Sequence, residues 1–146
     1  MGVTISDPNE VPLTAANEVC IANYGPTLMN FSFRDENNAW QSDETPNAIV
    51  NRYVCAKLTD YVPDITTGTP FLTYVHIVGG NNYALSPKLE WDPNAPTHYF
   101  KCEGTSLMPN CSYGGTSIEI LERATPSKHY MDPDENVSND PNVVLQ

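Results

Sequence analysis

The chain reads as all-β: an antiparallel β-sandwich or jelly roll of about seven to eight short strands, with extended polar arms at both ends. Three features point there. Residues 28–34 alternate cleanly, with Met29, Phe31 and Phe33 on one side and Asn30 and Ser32 on the other. That period of two marks a half-buried strand. Apolar runs are short and are separated by turn-forming clusters such as Gly79-Gly80-Asn81-Asn82 and Asp92–Pro96. The composition is poor in helix formers. Charged residues make up only 17% of the 146-residue chain, and much of the remaining polar content is Asn, Thr, Ser, Pro and Gly, which favour turns and extended backbone.

In chain order, residues 1–17 hold two prolines and form a polar N-terminal arm or edge strand. The sandwich domain follows over 18–124. Its first strands are Val19–Tyr24 and Leu28–Arg34. Residues 35–47 are acidic and turn-forming, with Trp40 in their middle. Ala48–Leu58 is rich in Val, Ile and Tyr and suits a strand. Asp60–Pro70 is a loop. Phe71–Val78 is apolar on both faces, the pattern of a central strand covered on both sides. It turns back through the double glycine into Tyr83–Trp91. Thr97–Glu103 alternates again, with His98, Phe100 and Cys102 on one face. Thr116–Leu121 is the last strand, and residues 117–124 have room for one or two helical turns at most. Residues 125–146 are acidic and proline-rich, a C-terminal arm whose composition does not favour a packed core of its own.

Length fits one domain. Acidic residues outnumber basic ones 18 to 7, for a formal charge of −11. That balance repels phosphate backbones and anionic bilayers, which argues against nucleic-acid and electrostatic membrane partners, and it attracts cations or basic proteins. No stretch reaches the roughly 18 apolar residues of a membrane span. The opening Met-Gly-Val-Thr-Ile-Ser lacks the basic start and apolar core of a secretory leader, so the expectation is a trimmed mature form or an unsignalled chain. Gly2 and Ser6 match a myristoylation pattern, but the match is short.

The four cysteines, Cys20, Cys55, Cys102 and Cys111, include no C-x-x-C pair, and the histidines are not at zinc-finger spacing. An even count in a loop-rich chain favours two disulfides and an extracellular or cell-surface location. Three pairings are open. The preferred one joins Cys102 to Cys111 through a short loop holding Gly104 and Pro109, and Cys20 to Cys55 between two earlier strands.

The search for chemistry yields modest signals. His76 and His98 lie in strands and read as buried histidines satisfied by a hydrogen bond; His129 lies in the C-terminal arm. No G-x-S-x-G elbow is present. Glu90 and Asp92 flank Trp91 and could approach the spacing of a glycosidase pair, although Asp92-Pro93 is also an ordinary turn start. No cofactor is expected. For metals, Asp132, Asp134 and Asn136 resemble the opening of a calcium loop, but the glycine and the final carboxylate of such a loop are missing. Sequons occur at Asn30, Asn110 and Asn136. The aromatics Trp40, Tyr61, Tyr83, Trp91 and Tyr113 sit near strand ends and turns, where they serve as core caps, as interface anchors or as stacking platforms for sugars. The expectation is a non-catalytic extracellular protein acting by surface contact. Its leading form is a self-assembling structural or partner-binding subunit that uses its arms to form a homo-oligomer or to hold another protein. The alternatives are a carbohydrate-binding, lectin-like module that contacts glycans, and a secreted toxin or effector.

Overall fold

In the computed structural model, which describes residues 13–127, two five-stranded sheets pack face to face. The strands are β1 (Thr14–Ala16), β2 (Glu18–Asn23), β3 (Leu28–Arg34), β4 (Ala48–Ile49), β5 (Arg52–Lys57), β6 (Pro70–Ile77), β7 (Asn82–Trp91), β8 (Thr97–Gly104), β9 (Pro109–Tyr113) and β10 (Thr125–Pro126). One sheet has the order β1-β7-β6-β3-β4 and the other β10-β5-β2-β8-β9. A single helical turn, α1 (Leu58–Tyr61), follows β5, and a 3-10 turn spans Ile118–Leu121, where the sequence pattern had suggested a strand.

The β-sandwich is thus the fold the alternation implied. Hairpin and meander pairings are antiparallel, while β1 with β7, β2 with β8 and β5 with β10 run parallel. The described parts of the two arms are sheet edges: Thr14–Ala16 add to β7 and Thr125–Pro126 add to β5. Ala48–Leu58 divides in two, because Asn51 adopts φ 68° at a turn between β4 and β5.

The inner faces meet over Val19, Ile21, Phe31, Phe33, Phe71 and Phe100, all essentially inaccessible. Phe33 makes edge-to-face contacts with Phe31, Phe71 and Tyr61, at centroid distances of 5.8, 5.4 and 6.1 Å. That geometry suits the ring quadrupoles.

The strands buried on both faces are β2 and β3, not Phe71–Val78; for β3 the alternation had implied a half-buried strand, but Asn30 and Ser32 on its polar face are buried too. In β6, Phe71, Thr73, Val75 and Ile77 are buried, whereas Leu72, Tyr74 and His76 remain half-exposed on the outer face. The difference lies in what crosses each sheet. Residues around Leu121 fold over Cys20, Ala22 and Tyr99 and build a second apolar cluster on the outside of the β2 sheet.

Both preferred disulfides form. Cys20 and Cys55 are direct cross-strand partners in β2 and β5, with Cα atoms 4.0 Å apart. Cys102 and Cys111 face each other in β8 and β9 at 3.9 Å. Gly104, at φ 83°, closes the hairpin opposite Pro109.

Candidate functional site

The ends of β3 and β5 lead into two excursions that meet at one end of the sandwich. After β3, Asp35 starts a turn in which its carboxylate accepts from the backbone N–H groups of Asn37 and Ala39. The following residues return along β3: Ser42 N–H donates to the Phe33 carbonyl at 2.8 Å, and Thr45 N–H to the Phe31 carbonyl at 2.8 Å. On β3, Asn30 and Ser32 are both buried beside this return strap. After β5, α1 delivers Tyr61, and the loop that follows is tied down where Gly68 N–H donates to the Trp91 carbonyl at 2.7 Å.

Between these excursions lies an open cleft of about 350 Å³. Trp40 and Tyr61 supply its aromatic surface, Val62 and Ile65 its aliphatic floor, and Asp64 and Thr66 part of its polar rim. Trp40, Tyr61, Val62 and Ile65 all pack against the main core, so the aromatic walls rest on a rigid base. The Tyr61 phenol is held protonated above its ordinary range, first by burial and then by the charges of Asp60 and Asp43.

The other aromatics are placed differently. Tyr83 lines a second, polar groove of about 370 Å³ between β7 and β9, together with Ser86 and Asn110. Trp91 belongs to the core at 8% exposure, and its Nε1 has no hydrogen-bond partner among the described residues. Tyr113 lies 2.6 Å from His98 Nδ1 through its hydroxyl. The five aromatics therefore do not form one site; two of them do.

His98 is buried between the sheets, and desolvation lowers its pKa, with the Ala15 backbone acting more weakly in the opposite direction. His76 is on an outer face. Its Nε2 is 2.9 Å from Ser32 Oγ, and its Nδ1 is 3.8 Å from Glu44 Oε2. The order serine, histidine, carboxylate is that of a nucleophilic triad, and spacing in the sequence gave no sign of it. Ser32, however, is fully inaccessible, so no substrate carbonyl reaches its Oγ. The arrangement satisfies polar groups on a covered sheet face.

Asp92 accepts from Asn94 N–H at 2.8 Å, which is the turn role rather than half of a carboxylate pair. Asn30 does point away from the core, but it is only 8% exposed, and its Nδ2, the atom a glycan would occupy, donates to Asn47 Oδ1 at 2.8 Å. Asn110 is exposed on β9. Asn136, the calcium candidates Asp132 and Asp134, and His129 lie outside the described residues. Among the described residues, Glu18, Cys20 and Cys55 are close enough to suggest a metal group. Both sulfurs are consumed by the disulfide, and Glu18 accepts from the Thr97 hydroxyl.

No protein-family model matches the chain, and comparison with characterised proteins and with solved structures likewise finds no match.

Proposed function

We propose that this protein is a non-catalytic, extracellular β-sandwich that works by contact, with the Trp40–Tyr61 cleft as its recognition surface. The observation that carries the reading is the convergence of these two rings, from separate excursions, on one concave surface backed by the core. Rigid aromatics beside a few polar groups bind at low entropic cost. The two disulfides support an oxidising environment. The burial of Ser32 supports binding over hydrolysis. Three of the four described sheet edges, β1, β4 and β10, are only two or three residues long, which disfavours strand addition there and leaves the five-residue β9 as the longer edge.

Saturation-transfer NMR on the full chain tests the reading, using a panel of neutral oligosaccharides, organic cations and organic anions. The expected result is that at least one class receives saturation from the protein and loses most of it in Trp40→Ala. If no class does, or if Trp40→Ala leaves every signal intact, the cleft is not the recognition surface.

A further inference from the structure

The charge around the cleft selects among ligands. Asp64 lines it directly. Asp43 follows the lining residue Ser42 in the chain, and Asp60 precedes Tyr61. Both of these carboxylates are exposed and raise the pKa of the Tyr61 phenol by their charge, so they lie near the aromatic wall of the cleft. Among the described residues, no lysine or arginine lines the cleft. Among the described residues, one basic side chain reaches a lining residue: Arg34 donates to Gln41 Oε1 at 3.1 Å, but its guanidinium is stacked 3.8 Å over the Tyr74 ring on the outer face of the sheet.

We propose that the Trp40–Tyr61 cleft binds an organic cation, an ammonium or guanidinium group carried by a small molecule or by a basic peptide. The proposal rests on the reading of this cleft as the recognition surface and narrows it to one chemistry. Aromatic faces attract cations through their quadrupoles, most strongly for Trp. The exposed carboxylates at and beside the rim add Coulomb attraction that salt screens. The formal charge of −11 on the whole chain favours encounter with cations at longer range. A sugar gains the stacking but not the charge terms. An organic anion meets repulsion from all three carboxylates.

Isothermal titration calorimetry on the full chain at low and moderate NaCl provides the test. The probes are choline, its uncharged isostere 3,3-dimethylbutanol, a short Lys/Arg peptide and a neutral oligosaccharide. The proposal expects a cationic probe to bind at least tenfold more tightly than the isostere, and binding to weaken as salt rises. It also expects Asp64→Asn to reduce affinity several-fold while the circular-dichroism spectrum is unchanged, and Trp40→Ala to reduce it further. Binding of choline places the cation on a free small molecule; binding of the peptide alone places it on a polypeptide. Equal affinity for isostere and choline overturns the proposal. Binding of the oligosaccharide alone, lost in Trp40→Ala, also overturns it yet leaves the recognition surface standing. No binding by any probe, together with a negative saturation-transfer panel, removes both.

Discussion

At the scale of the residue, the most informative side chain is His98. It is 2% exposed, and its ring is parallel to that of Tyr113, 5.9 Å between centroids. Its Nδ1 and the Tyr113 hydroxyl are hydrogen-bonded at 2.6 Å. Protonating the ring puts a charge between two sheets. Burial therefore lowers the folded-state pKa below the ordinary value of 6.5. The unfolded chain binds the proton more readily, so stability from this group is fully present above about pH 6.5 and falls as the pH drops through the lower folded-state pKa. Urea denaturation between about pH 7.5 and 5 should show the wild type losing stability relative to His98→Gln, whose side chain does not titrate. Parallel slopes for the two proteins rule this account out. The sequence showed that His98 shares a face with Phe100 and Cys102, because alternation is local. It did not show Tyr113 as the partner, because the β8–β9 register is fixed by the hairpin. The same limit hid the cleft. Trp40 stood out as an aromatic in an acidic turn and Tyr61 as an aromatic at a loop, but their meeting depends on where two excursions land.

At the scale of the element, legibility followed the number of neighbours that decide a segment's state. Strand β3 was readable to its ends, Leu28–Arg34, because its own alternation sets its inner face. Strand β6 was recognised, but its covering was misjudged: whether an outer face is buried depends on a remote segment, and that segment crosses β2 instead. The parallel edges β1 and β10 are too short to carry a pattern at all. The disulfides convert two antiparallel registers into covalent bonds. Cys20 and Cys55 are separated by 35 residues and Cys102 and Cys111 by 9. Loop-closure entropy assigns about 4 kcal/mol to the first and about 3 kcal/mol to the second. Cys102 is also inaccessible within the main core, so its loss removes packing as well as the cross-link. Equilibrium denaturation of Cys20→Ala/Cys55→Ala and of Cys102→Ala/Cys111→Ala should give losses of that order. A double variant within about 1 kcal/mol of wild type would show that the cross-link is redundant with the hydrogen-bonded register.

At the scale of the whole molecule, the dominant quantity is charge. Among the described residues, ion pairs join Lys88 to Glu36 and both Lys101 and Arg123 to Glu103. With 18 acids against 7 bases over the full chain, most carboxylates have no cation to pair with. Their mutual repulsion opposes compaction, since unfolding lets them move apart. Salt screens that repulsion: the Debye length shrinks from about 30 Å at 0.01 M to about 8 Å at 0.15 M ionic strength. Raising NaCl across this range should therefore raise the melting temperature, by a few degrees if about 1 kcal/mol of repulsion is relieved. The same salt should weaken an organic cation at Trp40 and Tyr61, because attraction to Asp43, Asp60 and Asp64 is screened together with the repulsion among them. One change of solution thus moves stability up and cation affinity down. Scanning calorimetry and titration calorimetry on the same samples measure both. A melting temperature that falls with NaCl would mean that the few ion pairs outweigh the unpaired acids, and the charge account of the fold would fail; a cation affinity indifferent to NaCl would remove the carboxylates from the account of the cleft.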